Sequence, residues 1–187
     1  MEQKFNNNEL PISDSMTCKL ILLFTLDKME FPLTKNTIFD ICSTINNWIS
    51  YMDCIDLLYK LVEANLIYKT EGKEGEDRFN ITYDGRNCLN HFYTKIPDKL
   101  REQITEYTKV NRMHFKRAQE YVSTFSKSED GSYFVVLKIR SNSVQDEPLF
   151  EIKIKAPTRH SAIEACKRWQ AVAHTAYEGI YETLISE

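Results

Sequence analysis

The fold is decided by the stretch LLYKLVEANLIYKTEGKEGEDRFNITYDGRNCL, residues 57–89. Its first part repeats apolar residues at helical spacing. Two short runs rich in β-branched and aromatic residues, 66–70 and 78–82, then flank a charged tip that contains two glycines. Thr82 is a favourable N-cap for a helix that follows. The stretch therefore predicts a helix, a β-hairpin and another helix.

Two further helices are predicted upstream of this stretch. The first begins after an N-cap at Ser13 or Asp14 and runs to about Met29. The second runs from Lys35 to about Cys42. A polar turn then leads into the third helix. The predicted order of the first half is helix, helix, helix, hairpin and helix.

The second half predicts a long helix, a two-stranded hairpin and a terminal helix. Apolar residues at steps of three and four predict a helix over about residues 97–125, roughly 40 Å long at 1.5 Å per residue. Alternation of apolar and charged residues then predicts two strands, 133–140 and 150–155. The terminal helix begins near Thr158 or at Ser161, where a capping-box pattern occurs.

The composition is that of a globular protein. Hydrophobic residues make up 42% and charged residues 27% of the 187 positions, which argues against disorder. No apolar run is long enough to cross a bilayer, and the N-terminus lacks a signal-peptide pattern, so we expect a cytoplasmic protein. Five cysteines at irregular spacing fit reduced thiols better than a disulfide framework.

The sequence contains no recognisable catalytic or cofactor motif. The five glycines form no phosphate loop, and no G-x-S-x-G, H-E-x-x-H or C-x-x-C pattern occurs. Cys88 and His91 have a spacing that can place two metal ligands together on a helix, but two ligands do not complete a zinc site. We therefore expect no enzyme, no metal and no cofactor.

Three segments of the first half resemble winged-helix transcriptional regulators. They are LTKNTIFDIC (33–42), LLYKLVEANLIYK (57–69) and RFNITYDGRNCL (78–89). The middle segment resembles the passage from recognition helix to first wing strand in regulators of the multiple-antibiotic-resistance and phenolic-acid types. The last segment resembles the second wing strand and the helix after it. This resemblance implies that the third helix lies in the major groove of DNA.

The whole chain is also similar to an uncharacterised winged-helix family of low-GC Gram-positive bacteria, a domain of unknown function. This similarity depends on the helix start at Ile96-Pro97, the two strands of the second half and the terminal helix with Trp169. It implies an architecture and no particular biochemistry.

The resemblance implies a DNA-facing surface around the third helix and the hairpin. Asparagine can pair with adenine, serine and tyrosine can hold phosphate, and lysine and arginine neutralise it. The candidate residues are Lys35, Asn46, Asn47, Trp48, Ser50, Tyr51, Lys69, Lys73 and Arg78. Trp48 and Tyr51 can instead belong to the core, and the hairpin lysines can be merely solvated.

Charge argues against a strong DNA-binding surface. Residues 1–95 carry ten basic and fourteen acidic side chains, a net charge of −4, whereas residues 96–187 carry fourteen and thirteen, a net charge of +1. Asp53 and Asp56 lie on the third helix itself and would repel phosphate. A winged helix that binds protein instead of DNA is therefore the alternative.

Regulators with one winged helix per chain generally bind two half-sites as a two-fold dimer. Spare apolar surface on the long and terminal helices would supply the contact. The candidate dimerisation residues are Leu100, Ile104, Tyr107, Asn111, Trp169, Tyr177, Ile180 and Leu184. The alternative is that these stripes are covered within a monomer.

These inferences predict an α+β protein in three parts. Residues 1–95 are expected to form a winged helix-turn-helix domain, and 96–126 a long linking and dimerisation helix. Residues 127–187 are expected to form a two-stranded β-hairpin with a terminal helix, as a dimerisation or effector domain. The expected function is a transcriptional regulator that binds double-stranded DNA as a homodimer and has no membrane partner. A small-molecule effector is left open.

Overall fold

The computed structural model describes residues 11–71, 76–140 and 148–185. Within this part of the chain it contains six α-helices and two three-stranded antiparallel sheets, which confirms the predicted α+β class. The chain divides into two compact units, unit 1 at Met1–Met113 and unit 2 at His114–Glu187.

Unit 1 combines helices with a small sheet in the order β1-β3-β2. Its elements are α1 (Ser15–Met29), β1 (Leu33–Thr34), α2 (Lys35–Phe39), α3 (Tyr51–Glu63), β2 (Ile67–Thr70), β3 (Arg78–Ile81), α4 (Tyr83–Phe92) and most of α5 (Asp98–Glu120). A π-helical segment, Asp40–Ile45, follows α2, and a short 3-10 turn, Tyr93–Lys95, follows α4.

Helices α1 to α4 each begin at a residue whose side chain accepts a hydrogen bond from a backbone N–H of the first turn. These N-caps are Asp14, Thr34, Ser50 and Thr82. The bond from the Thr17 N–H to the Asp14 carboxylate, for example, is 2.8 Å long. A cap of this kind typically contributes about 1 kcal/mol. The predicted starts of α1, α2 and α4 are confirmed.

Helix α1 forms the centre of the unit 1 core. Residues 20–26 are all buried, and Thr25 is the one polar residue among them, so the helix has no exposed face over two turns. A helix that is apolar on every side has to be covered on every side. Helices α3 and α4 and strand β3 pack around it. No helix in the described part of the chain is long and apolar enough to cross a membrane.

The segment before α3 differs from the polar turn predicted over residues 43–48, because the helix continues into it as the π-helical segment. The Asn46 side-chain amide donates to the Ile41 carbonyl at 2.8 Å. The backbone N–H of Trp48 donates to the Cys42 carbonyl at 2.9 Å. These bonds satisfy carbonyls that the end of the helix leaves without partners, so polar residues are held in the interior.

Unit 2 is a sheet in the order β4-β5-β6 with one helix packed against it. Its elements are β4 (Tyr121–Lys127), β5 (Tyr133–Arg140), β6 (Pro148–Ala156) and α6 (Arg159–Leu184). The core lies between α6 and one sheet face, where Val135, Leu137 and Ile139 of the central strand are buried. The indole N–H of Trp169 donates to the Lys138 carbonyl at 3.1 Å and so joins α6 to β5.

The terminal helix begins as the sequence predicts, with Thr158 as the N-cap and Ser161 as its capping-box partner. The strand count differs from the prediction. The long helix ends at Glu120, and residues 121–127 pair along their whole length with β5, so the predicted two-stranded hairpin is a three-stranded sheet. The apolar residues of YVSTFSK fit helical spacing as well as alternation, which produced the error. Its β-branched and aromatic residues favour a strand once a partner strand is present.

Gly85 lies where the start of α4 approaches the chain between α3 and β2. A Cβ atom at this position would lie 2.1 Å from the Leu66 carbonyl oxygen and 2.8 Å from Cγ1 of Ile81. We therefore expect Gly85→Ala to lower the free energy of unfolding by at least about 2 kcal/mol, because backbone atoms would have to move.

Urea unfolding followed by circular dichroism measures this effect. The matched control is Gly179→Ala in α6, where a Cβ meets nothing within 4 Å. Alanine should stabilise that exposed helical position by about 0.5–1 kcal/mol. A Gly85→Ala protein as stable as the wild type would contradict the close approach.

Candidate nucleic-acid interface

The N-terminal end of α3 presents part of the candidate surface. The Ser50 hydroxyl accepts a hydrogen bond from the Asp53 N–H at 3.2 Å and donates to the Asp53 carboxylate at 2.6 Å. Tyr51 is 53% exposed, and its ring lies edge-on against Phe39 with the centroids 5.4 Å apart. Asn47 is exposed and has a left-handed backbone, with φ at 53°. The tip of α3 therefore presents a phenol and a carboxamide.

Two basic residues lie on adjoining elements. Thr34 of β1 pairs with Arg78 of β3, and Lys35 follows as the first residue of α2. Lys35 is exposed and Arg78 is half-exposed. The sheet register thus brings two positively charged residues together beside α2, as a phosphate-binding surface requires.

Asn46 and Trp48 are buried, with 1% and 3% exposure, which corrects the prediction that they face DNA. The side-chain amide of Asn46 donates a hydrogen bond to the Ile41 carbonyl. The Trp48 ring packs edge-on against Tyr107, with the centroids 5.8 Å apart. Both side chains hold the segment before α3 in place and cannot reach a ligand.

The positive charge of Lys69 in β2 is compensated by neighbouring carboxylates. The Lys69 ammonium lies 3.1 Å from the Asp77 carboxylate and 3.9 Å from that of Glu71. The hydrogen bond that Lys69 donates to the Asp77 carboxylate holds the pKa of Lys69 above its usual range. Lys73 lies outside the described residues. Contact with a phosphate at Lys69 would have to compete with these carboxylates.

The outer face of α3 is apolar and acidic. Met52 is 74% exposed, and Tyr59 is 40% exposed with its ring edge-on against Phe79. Between them, Asp56 binds the Lys60 ammonium at 2.6 Å. That hydrogen bond also raises the pKa of Lys60. An apolar face with carboxylates suits a protein partner better than a phosphate backbone.

Sequence reasoning missed Met52 and Tyr59 as surface residues. The signal was present, because Met52, Asp56 and Tyr59 follow one another at steps of four and three, the period of one helix face. The buried residues Cys54, Leu58 and Leu61 of α3 each follow one of them by two positions, so this face is turned away from the core.

The predicted dimerisation residues fall into a covered set and an exposed set. Five of them are buried in the single chain: Leu100, Ile104, Tyr107, Asn111 and Trp169. Asn111, instead of facing a second chain, donates its side-chain amide to the Tyr107 carbonyl at 2.9 Å. Tyr177 is half-buried, whereas Ile180 and Leu184 are 38% and 76% exposed. Only the end of α6 therefore retains an open apolar surface from this set.

Three cysteines of unit 1, Cys18, Cys42 and Cys54, are buried thiols. Burial raises the pKa of Cys18 to about 11. A hydrogen bond with Cys42, together with burial, raises the pKa of Cys54 far above its usual range. These two thiols stay protonated at neutral pH, so they act as small apolar groups. Among the residues that the structure describes, no group of three or more potential ligands is arranged to hold a metal ion.

The burial of Trp48 predicts a structural role. We expect Trp48→Ala to lower the free energy of unfolding by about 3–5 kcal/mol, the usual cost of deleting a buried large aromatic ring. Asn47→Gly, one position earlier, keeps the left-handed backbone at an exposed position and leaves no cavity, so it should cost much less stability than Trp48→Ala. Chemical unfolding of both variants provides the comparison. Equal stability of Trp48→Ala and wild type would contradict the burial.

The sequence of both units together matches one protein family. One family model, described as Domain of unknown function (DUF4364), matches residues 18–184. No curated protein matches the chain, and no solved structure matches it either. The match spans both units, from α1 to the end of α6. The predicted membership of an uncharacterised family is thereby confirmed, and the chain belongs to the family Domain of unknown function (DUF4364).

Proposed function

We propose that unit 1 is a winged helix and that the protein is a transcriptional regulator that binds DNA as a dimer. The observation that carries the proposal is the topology of unit 1. A helix, a strand, two helices and a hairpin follow in order, and β1 pairs with the second hairpin strand to give the sheet β1-β3-β2. In this assignment α3 is the recognition helix and the β2–β3 hairpin is the wing. Such a role belongs in the cytoplasm and needs no enzymatic step.

The contacts proposed for DNA come from the exposed part of the candidate set. Asn47 and Tyr51 at the tip of α3 would reach base edges and phosphate. Lys35 and Arg78, which the β1–β3 register brings together, would bind the backbone. Ser50 acts through the helix start that it caps. Lys69 and Lys73 remain proposed wing contacts with DNA. We expect Lys69 to contribute less to binding than Lys35 or Arg78, because its ammonium is already paired with the Asp77 carboxylate.

The second candidate function is protein binding through α3, and the outer face of that helix favours it. Met52 and Tyr59 present apolar surface on either side of Asp56, whose carboxylate lies against the Lys60 ammonium. A partner with apolar and basic side chains would match this face. In that case the winged helix would serve as an interaction module without sequence-specific DNA contacts.

Selection of genomic DNA fragments by the purified protein tests the first candidate. Fragments retained at low salt, where phosphate contacts are strongest, should contain a common sequence with two related halves. Asn47→Gly should reduce the preference for that sequence, whereas Arg78→Gln should weaken binding to every fragment. Absence of an enriched sequence at low salt would remove the DNA-binding proposal.

Asp56→Asn separates the two candidates by the sign of its effect. The substitution removes a negative charge from α3 and releases Lys60 from a 2.6 Å ion pair. An exposed pair of this kind contributes little to stability, so the fold should be unchanged. Affinity for the selected DNA should rise by about threefold to tenfold at low salt if α3 faces phosphate. Binding of a protein partner with basic side chains should weaken instead.

Fluorescence anisotropy with the selected DNA, and pull-down for a protein partner, provide the two readouts. Glu129→Gln in the turn between β4 and β5 is the matched control, because it removes an exposed acid from unit 2. Unchanged binding of both kinds by Asp56→Asn would mean that this face of α3 contacts neither partner.

A further inference from the structure

Helix α6 is longer than its contact with the sheet of unit 2. Its 26 residues extend over about 39 Å at 1.5 Å per residue. Its buried residues are Ala162, Trp169 and Ala173, all in the first fifteen positions. From Glu178 to Ile185 every residue is exposed. The last two turns of α6 therefore contribute no buried residue to the core of unit 2.

The uncovered end continues the apolar side of the covered part. Ile180 and Leu184 follow Ala173 by seven and eleven residues, about two and three helical turns, so they lie on the same side of the helix. Tyr181 contacts Tyr177 with the ring centroids 5.9 Å apart, and Tyr177 in turn contacts Phe150 of β6 at 6.0 Å. The exposed surface is thus continuous with the core of unit 2.

The exposed apolar area is large enough for a stable contact. Ile180, Tyr181, Leu184 and Ile185 are 38%, 44%, 76% and 63% exposed, which leaves on the order of 400 Å² for side chains of this size. A standard interface buries about 800 Å² per partner, of which about 60% is apolar. The same patch on two chains would therefore supply most of the apolar area that a dimer needs.

The charges around the patch favour a second copy as the occupant. The two acids of this segment, Glu178 and Glu182, each lie two positions from Ile180, so they are turned away from that residue and border the patch beside Ile185. Glu178 is paired there with the His174 ring at 3.1 Å. A two-fold pairing centred on Ile180 and Leu184 therefore keeps both acids at the rim of the contact, and the patch residues themselves carry no charge that would require a basic or acidic partner.

We propose that residues 180–185, the end of α6, form a two-fold interface with the same segment of a second copy of this chain. The inference rests on the dimeric part of the proposed function and locates it. It also assigns no interface to the stripe of α5, where Ile104, Tyr107 and Asn111 are covered within the single chain.

Light scattering of the purified protein without DNA tests the interface. The wild type should show twice the chain mass of 22.0 kDa at micromolar concentration. Leu184→Glu should raise the dimer dissociation constant by at least about thirtyfold, the effect of a charge at a central interface position. Because Leu184 is 76% exposed, the variant should fold normally, and circular dichroism verifies this.

The matched control is Tyr83→Glu, which changes a helical residue of nearly equal exposure, 77%, in unit 1. It should leave the mass unchanged. A monomeric wild type, or a Leu184→Glu protein as dimeric as the wild type, would overturn the proposal. The failure of DNA binding is a separate result, because a dimer that enriches no DNA sequence keeps the interface and loses only the regulatory function.

Discussion

The position of α1 constrains the rest of unit 1. Residues 20–26 are buried on every side, so each neighbouring element has to present apolar surface to them. Helix α3, which packs against α1, buries Leu58 and Leu61, and strand β3 buries Phe79. Once α3 is committed in this way, only its opposite side remains for a ligand. The need to bury the apolar residues of α1 thus determines which residues of α3 are exposed and can bind a ligand.

The parts of the fold that depend on local interactions could be predicted from the sequence. The N-caps Asp14 and Thr34 act on residues within three positions, so a short pattern identifies them. Residues 121–127 are different, because their apolar spacing fits both a helix and a strand. Their conformation depends on pairing with β5, a contact that no local pattern reveals.

In the candidate site, too, the properties that depend on single residues could be predicted, and those that depend on distant contacts could not. The acidity of α3 could be predicted, because Asp53 and Asp56 carry their charge wherever the helix lies. The burial of Trp48 could not, because it depends on Tyr107, which is distant in the sequence. Trp48 stands in a run of polar residues that resembles an exposed turn. The exposure of Met52 could have been found from helical spacing alone, but an apolar residue on a helix is usually assigned to the core.

The left-handed backbone at Asn47 also limits how this protein can change over time. Residues other than glycine, asparagine and aspartate are disfavoured at a φ of 53°. Few substitutions at position 47 are therefore compatible with the backbone that leads into α3. New chemistry at the tip of the helix is therefore more accessible at Tyr51, whose backbone is helical and whose side chain is exposed. Within this fold, diversification of the surface would proceed along α3 and not through the residue that leads into it.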